Sequence, residues 1–184
     1  MGNFYVNFTT RGPDQAIVSK CLRTAKRNAY VSPTLDDITV FYDKGADTQD
    51  ESVIVALGKQ ASKKLKAPVF AVLNHDDDIL CYWIFEAGKV VDEYNSCPGY
   101  FSGGEETPTG GDAKKLCAAF GVPTKVKAVQ KILRDEEYVF ALERHEALAA
   151  LLKQPWSYSC MGYGSISEGS LAEGVNKKDL IRIG

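Results

Sequence analysis

The sequence lacks any apolar run that approaches the length of a membrane span. A spanning helix needs about 18 to 20 consecutive apolar residues, and no segment of the 184 residues comes near that length. The N-terminus has neither a basic region nor an apolar signal core. Val6 stands where an N-myristoylation motif requires serine or threonine. These absences predict a cytoplasmic protein that makes no membrane contact.

Paired cysteine motifs are also absent. The five cysteines are odd in number and widely spaced, and none forms a CxxC pair: Cys21, Cys81, Cys97, Cys117 and Cys160. This pattern argues against a disulfide framework and against a zinc knuckle. We therefore expect reduced thiols, most of them packed as small buried apolar groups.

Strong net charge and known cofactor motifs are missing as well. The formal net charge is −2 and the pI is about 5.7, so bulk electrostatics do not attract nucleic acid. The sequence contains no GxGxxG, HExxH or GxSxG motif and no RNA-recognition motif. We predict no cofactor and no nucleic-acid partner.

The pattern of strands and helices predicts an α+β fold. Over roughly the first 75 residues the order is strand, helix, strand, strand, helix, strand, which is the split βαβ or ferredoxin-like pattern. A hairpin of residues 79–85 and 90–94 is expected to extend that sheet. The segments 69–73 and 79–85 are apolar on both faces, which is typical of central strands covered on both sides. We therefore expect the C-terminal helical segment to pack on the second face of the sheet.

Three regions are predicted along the chain. Residues 1–95 form the sheet core, residues 96–111 form a Gly/Pro-rich loop, and residues 112–184 form a helical segment and tail of the same domain. Within the tail, Tyr158 to Ile166 alternates weakly, which suggests an edge strand. The chain beyond Gly169 is expected to be loosely held.

Local signals mark several turns and helix ends. Asp76-Asp77 and Ala87-Gly88 are expected to form the two hairpin turns of the central region. The first strand, from Phe4 to Thr9, alternates strictly between apolar and polar residues, which predicts a half-buried strand. Thr48 and Glu51 have the spacing of a capping box at the start of a helix.

The C-terminal third carries a second pair of helix signals. Asp112 is placed to cap the start of a helix, and Gly121 is placed to stop it.

The turn between the two central strands is a candidate metal site. His75, Asp76 and Asp78 carry imidazole and carboxylate groups, which are suitable ligands for a divalent cation. A closed site would need a partner such as His145 or Glu143 brought across to the turn. Because Asn, Asp and His are also ordinary turn residues, a hairpin turn without metal is the favoured interpretation.

Cys97 with His145 is the one plausible nucleophile and base, with His75 as an alternative base. His145 shares the apolar face of its helix with Leu148 and Leu152, which favours a buried histidine with a hydrogen-bond partner over a catalytic base. The Gly-rich segment 103–111 resembles a phosphate-binding loop only loosely. It lacks the GK[ST] ending and carries Glu105 and Glu106, so a flexible linker is favoured.

Aromatic residues at the exit of the last central strand suggest a contact surface. Tyr94, Cys97, Tyr100 and Phe101 lie on that exit, where they could contact a partner protein or a small ligand. Equally, Tyr100 and Phe101 could pin the loop to the core.

Several segments resemble a group of small bacterial proteins without an assigned activity. The segments are MGNFYVNFTTRGP, VLNHDDD, VDEYNSCPGYF, GGDAKKLCAAFG and YVFALERH, and the likeness runs from Gly2 to about Leu152. The resemblance implies a bacterial, cytoplasmic, single-domain protein. It provides no cofactor or catalytic residue that could be transferred.

The leading hypothesis is a non-enzymatic binding or protein-interaction module. Its binding surface would be the 94–111 loop together with the Asn74–Asp78 turn, and a homodimer through a sheet edge is one possible arrangement. The alternative is a small hydrolase or metal-dependent enzyme that uses His75, Asp76 or Asp78 with Cys97 or His145. The two hypotheses differ in whether His75, Cys97 and His145 converge in one concave site.

Overall fold

A computed structural model describes residues 2–104 and 107–184, and this part of the chain contains eight β-strands and seven α-helices. The strands are β1 Phe4–Arg11, β2 Ala29–Val31, β3 Ile38–Asp43, β4 Val69–His75, β5 Ile79–Glu86, β6 Lys89–Asn95, β7 Thr109–Gly110 and β8 Ile181–Ile183. The helices are α1 Gln15–Thr24, α2 Glu51–Leu65, α3 Ala113–Phe120, α4 Val126–Arg134, α5 Ala141–Leu152, α6 Trp156–Ser159 and α7 Tyr163–Glu168.

All eight strands form one antiparallel sheet in the order β7-β6-β5-β4-β1-β3-β2-β8. The predicted α+β class is confirmed. β4 and β5 lie in the interior of the sheet, as expected for strands whose residues are apolar on both faces. The sheet is larger than the six strands that the sequence pattern suggested.

Helices cover both faces of the sheet. α1 and α2 pack on the face that carries Val6 and Phe8 of β1, and the helices α3 to α7 pack on the face that carries Tyr5. The expectation that the C-terminal helices cover the second face is therefore met. The prediction of a half-buried β1 is wrong, because its polar residues Asn7 and Thr9 are also buried beneath those helices.

Both predicted hairpin turns form where expected. Asp76 and Asp77 have positive φ of 54° and 61°, and Ala87 and Gly88 have φ of 48° and 84°. Two successive residues with positive φ define the turn that matches the twist of a β-hairpin. Ala87, the first residue of the second turn, is strained, because in the left-handed region its Cβ comes too close to the following carbonyl oxygen.

Replacing Ala87 with asparagine should therefore raise the free energy of unfolding by about 0.5 to 1 kcal/mol, because asparagine tolerates positive φ better than alanine does. Urea unfolding would measure the change. Gly88→Ala is the matched control at the next residue of the turn, and it should lower stability. A destabilised Ala87→Asn variant would contradict this account of the turn.

Helix α3 begins and ends as its sequence predicts. The Asp112 carboxylate accepts hydrogen bonds from the amides of Lys114 and Lys115, and Gly121 ends the helix with φ of 66°.

The predicted capping box of Thr48 and Glu51 is wrong. The Asp50 carboxylate instead accepts the amide of Ser52 at the start of α2, and the Thr48 hydroxyl donates to the carbonyl of Gly45. Asp50 is itself a strong helix-capping residue one position before Glu51, so it takes this role.

The C-terminal tail differs most from expectation. Residues 158–166 lie mainly in α6 and α7 rather than in an edge strand. α7 is held by a distant residue, because the Asp47 carboxylate accepts the amides of Tyr163 and Gly164. The last residues are not loosely held, since β8 pairs with β2 and Ile183 is buried in the core beside α1 and α2.

Within the described residues, no helix combines the length and the apolar character that crossing a membrane requires.

Candidate functional site

Exposed apolar side chains concentrate at the β4–β5 turn. Across the described residues seven large apolar side chains are exposed, and five of them lie at this end of the sheet: Phe4, Tyr100, Phe101, Val139 and Phe140. Residues 139–140 run beside the turn because the Ala141 amide donates to the carbonyl of Asp77. Large exposed apolar clusters of this kind mark interaction surfaces more often than single exposed residues do.

His75 lies at the centre of the aromatic part of this cluster. Phe4, Tyr100 and Phe101 each make an edge-on contact with its imidazole, with ring centroids 5.0, 6.2 and 5.2 Å away. We call the surface formed by Phe4, His75, Tyr100, Phe101 and Asp78 the turn patch. It joins the start of β1, the end of β4 and the loop after β6.

A hydrogen bond to Gln49 fixes the His75 ring. The Gln49 amide nitrogen donates to the carbonyl of Asn74, which leaves the Gln49 Oε1 atom as an acceptor 2.6 Å from His75 Nδ1. His75 therefore carries its proton on Nδ1 when the ring is neutral. The neutral Gln49 amide sets the orientation of the ring, and the surrounding aromatic side chains pack against the ring in that orientation.

The three aspartates of the turn each hold a different partner. Asp76 accepts the amide of Gly2, Asp77 accepts the side chain of Asn3, and Asp78 accepts the hydroxyl of Tyr100 at 2.8 Å. In residues 2–104 and 107–184 no three His, Cys, Asp or Glu side chains are placed to hold one metal ion. The structure thus brings His75, Asp76 and Asp78 into one turn but gives them no common ligand geometry.

Tyr94 differs from its predicted role at the surface. Its side chain is buried against Tyr82, and its hydroxyl donates to the carbonyl of Leu133 in α4. Burial raises the pKa of Tyr94 to about 12. The residue therefore ties the sheet to α4 and is not available as a contact for a partner.

Next to the turn patch lies a cleft with a volume of about 550 Å³. It runs between the loop after β6 and the segment before α5, and its lining residues are Asp78, Ser96, Cys97, Thr107, Pro108, Glu136, Tyr138, Val139, Ala141 and Arg144. We call it the Arg144 cleft. Because Asp78 belongs to both features, the turn patch and the cleft form one continuous surface.

Cys97 lines this cleft, but His145 does not. The amide of Cys97 donates to the side chain of Asn95, and its thiol is half-buried. His145 lies one residue beyond Arg144, yet its imidazole is fully buried between Tyr5 and Trp156. A base in that position cannot reach a substrate in the cleft, so the predicted pairing of Cys97 with His145 lacks the geometry of catalysis.

The environment of His145 is a buried polar chain. The Tyr5 hydroxyl lies 2.8 Å from His145 Nδ1, and the Asn74 amide donates to the Tyr5 oxygen and to Asp77. Burial lowers the pKa of His145 to about 3. The ring is therefore neutral in ordinary buffers, and it acts as a structural hydrogen-bond acceptor.

Of the predicted contact residues, Tyr100 and Phe101 best fit a binding surface. Phe101 is 78% exposed, whereas Tyr100 is partly held by its hydrogen bond to Asp78. Sequence reasoning missed Phe4 and Arg144. Phe4 meets His75 only because β1 pairs with β4 at a register that places these two residues opposite each other. Arg144 is buried, but a charged residue is expected at the surface, so the sequence gives no indication of its burial.

The arrangement offers contacts for binding a ligand or a partner. Exposed aromatic rings offer apolar and π contacts, and the nearby carboxylates of Asp78 and Glu136 attract cationic groups. His75, Cys97 and His145 do not meet in one site.

Comparisons with protein-family models, with curated proteins and with solved structures gave no match, so function has to be inferred from the geometry of the chain itself.

Proposed function

We propose that this protein is a binding module that recognises a segment of a partner protein through the turn patch. The observation that carries the proposal is the concentration of exposed aromatic and apolar side chains at one end of the sheet. Aromatic residues supply most of the binding energy at many interfaces, because they bury a large area at a small cost in conformational entropy. The pairing of β1 with β4 places Phe4 opposite His75 and so holds these two rings of the surface together.

Charge indicates what kind of segment would bind. The acidic side chains of Asp78 and Glu136 border the aromatic surface, and the segment that precedes α5 adds Asp135 and Glu137. A cation near aromatic faces and carboxylates gains both cation–π and Coulomb attraction. The partner segment is therefore one that carries apolar side chains together with at least one lysine or arginine.

The test is selection of binding peptides from a random display library against the purified protein. We expect the selected peptides to combine aromatic or aliphatic residues with basic ones. Phe101→Ala should weaken their binding by about tenfold or more, measured by calorimetry, because Phe101 is the most exposed ring of the turn patch. Tyr100→Ala should act in the same direction.

Ile17→Ala is the matched control for Phe101→Ala. Ile17 is 51% exposed on α1, away from the turn patch, so its removal should leave peptide affinity unchanged. Equal affinity for the wild type and Phe101→Ala would contradict the proposal. A lower melting temperature of Tyr100→Ala without loss of affinity would instead assign that ring to holding the loop.

We also infer a ferredoxin-like core within the larger sheet. Supporting this is the order β4-β1-β3-β2, in which β1-α1-β2 and β3-α2-β4 form two split βαβ units. A bacterial cytoplasmic setting is part of the same proposal, and the odd number and wide spacing of the five cysteines are consistent with a reducing compartment.

The proposal includes a homodimer that forms through a sheet edge. The edge strands β7 and β8 have two and three residues, and in the described part of the chain β7 pairs only with Tyr94 and Asn95, so residues 89–93 of β6 also lie along that edge of the sheet. Sedimentation equilibrium would test this arrangement directly.

A further inference from the structure

Arg144 is a buried cation on the wall of the Arg144 cleft. Its side chain belongs to a residue that is 4% exposed, and its guanidinium donates to the carbonyls of Ile132 and Asp135, both at 2.6 Å. The guanidinium also lies 5.0 Å from the centre of the Tyr138 ring. These partners are all neutral groups.

No carboxylate compensates this charge within the described part of the chain. The single ion pair in that part of the chain joins Arg27 to Asp43, and neither of these residues lines the Arg144 cleft. A buried cation without a counter-ion is costly, because the low-dielectric surroundings replace the water that would stabilise it. An anionic ligand in the cleft would remove part of that cost.

The start of α5 adds to the positive potential of the same wall. Ala141, the first residue of this 12-residue helix, lines the cleft, and Phe140 before it supplies no side-chain cap. The Ala141 amide already donates to the carbonyl of Asp77, but the dipole of a helix N-terminus still favours an anion near that end. The helix end alone would not define a site, but here it faces the cleft beside a buried arginine.

Acidic residues line the same cleft on its exposed side. Asp78 and Glu136 are both exposed, so solvent and salt screen their charges more than they screen Arg144. The cleft therefore combines a buried cationic wall with an acidic rim. A ligand that matches this cleft has a carboxylate for the cationic wall and, a few bonds away, a cationic group for the acidic rim.

We propose that the Arg144 cleft binds a carboxylate, namely the C-terminal carboxylate of the partner segment, with Arg144 as its anchor. This inference rests on the proposed function, because Asp78 connects the cleft to the turn patch where the rest of the segment would lie. Each terminal nitrogen of the Arg144 guanidinium donates one N–H to a backbone carbonyl and keeps a second N–H that can donate to a carboxylate. The volume of about 550 Å³ lies within the usual range for ligand pockets.

Arg144 also caps the C-terminal end of α4, since both of its backbone acceptors lie there. That structural role predicts only a change in stability on substitution. Carboxylate recognition predicts, in addition, that the unaltered protein distinguishes a peptide acid from its amide. The difference between these two expectations makes the proposal testable without any variant.

The experiment is an NMR titration of the ¹⁵N-labelled protein with N-acetyl-Phe-Ala-Lys as the free acid and as the C-terminal amide. We expect the acid to bind about tenfold more tightly than the amide, with shift changes at Arg144 and Tyr138. Arg144→Lys should reduce acid binding to the level of the amide, because lysine keeps the charge but loses the guanidinium fork. Arg134→Lys, at an exposed arginine at the end of α4 that does not line the cleft, is the matched control and should leave the preference for the acid unchanged.

A third ligand, N-acetyl-lysine, distinguishes the two sources of a carboxylate. Binding as tight as that of the tripeptide acid would support the Arg144 site but overturn its assignment to a chain terminus. Equal affinity for the acid and the amide, or no binding of either at about 10 mM, would overturn the carboxylate site.

The failures of the two proposals are distinguishable. If the acid and the amide bind equally well and Phe101→Ala weakens both, the turn patch would stand as the interaction surface. The carboxylate site would then be wrong. If the protein prefers the acid to the amide through Arg144 and Phe101→Ala does not weaken either ligand, the carboxylate site would stand. The proposal that the turn patch binds a partner segment would then be wrong.

Discussion

Replacing Gly58 with valine should lower the free energy of unfolding by about 3 kcal/mol or more, and alanine should lower it by about 2 kcal/mol. Gly58 lies in α2 directly over Phe85 of β5, and an added Cβ would fall inside the van der Waals contact of three atoms of that ring. Phe85 is fully buried, so its ring cannot move aside freely. Helix propensity alone would predict the opposite sign, because alanine is favoured over glycine by about 1 kcal/mol.

Chemical denaturation separates the two effects with matched variants. Ala56→Gly, at an exposed position of the same helix, should cost only the propensity term of about 1 kcal/mol. Combining Gly58→Ala with Phe85→Leu should cost less than the sum of the two single changes, since the smaller side chain makes room for the new methyl group. A more stable Gly58→Ala variant would show that α2 does not rest on β5 as closely as described.

The fold could be predicted from sequence wherever local pattern decides the outcome. The residues of β4 and β5 are apolar on both faces, which places these strands inside a covered sheet, and Asp76-Asp77 form the turn that joins them. The prediction of burial from local pattern is wrong where residues distant in the sequence cover a strand. Asn7 of β1 looks exposed by its alternation, yet it donates to the carbonyls of Ser159 and Met161, which lie 152 and 154 residues further along the chain.

The candidate site shows the same limit. The sequence singled out Tyr100, Phe101 and the Asn74–Asp78 turn separately, and the structure joins them through His75 and Asp78. Nothing in the local pattern pairs Phe4 with His75, because that contact depends on the register of β1 against β4. The burial of His145 was suggested by its place on an apolar helix face, but its partner Tyr5 could not be identified.

The buried chain of Tyr5, His145 and Asn74 fixes the protonation of the imidazole. Asn74 Oδ1 accepts the amide of Asp77, so its Nδ2 must be the group that donates to the Tyr5 oxygen. The Tyr5 hydroxyl then donates to His145 Nδ1, and the single ring proton of neutral His145 lies on Nε2. His145 Nε2 is buried, and no group in residues 2–104 or 107–184 forms a hydrogen bond with it. A second proton on this ring would displace the Tyr5 hydrogen bond and place a charge in the core.

Stability should therefore fall on acidification well before the carboxylates titrate. The pKa of His145 is about 3 in the folded protein and near 6.5 in an unfolded chain, so the unfolded state binds more protons between these values. The contribution of His145 is complete above pH 6.5 and is lost as the pH falls towards 3. We expect the free energy of unfolding to drop by about 1.4 kcal/mol between pH 7.5 and 5.5, and by about 3 kcal/mol at pH 4, from this group alone.

His145→Asn isolates this contribution, because asparagine can accept the Tyr5 hydrogen bond but cannot be protonated in this range. Urea unfolding at pH 7.5 and pH 5.5 should show a nearly flat profile for this variant and a clear loss for the wild type. His75→Asn leaves His145 in place, so it should lose stability as the wild type does. Equal slopes for the wild type and His145→Asn would mean that the imidazole accepts a proton in the folded state, and that the core beside Tyr5 is open to water.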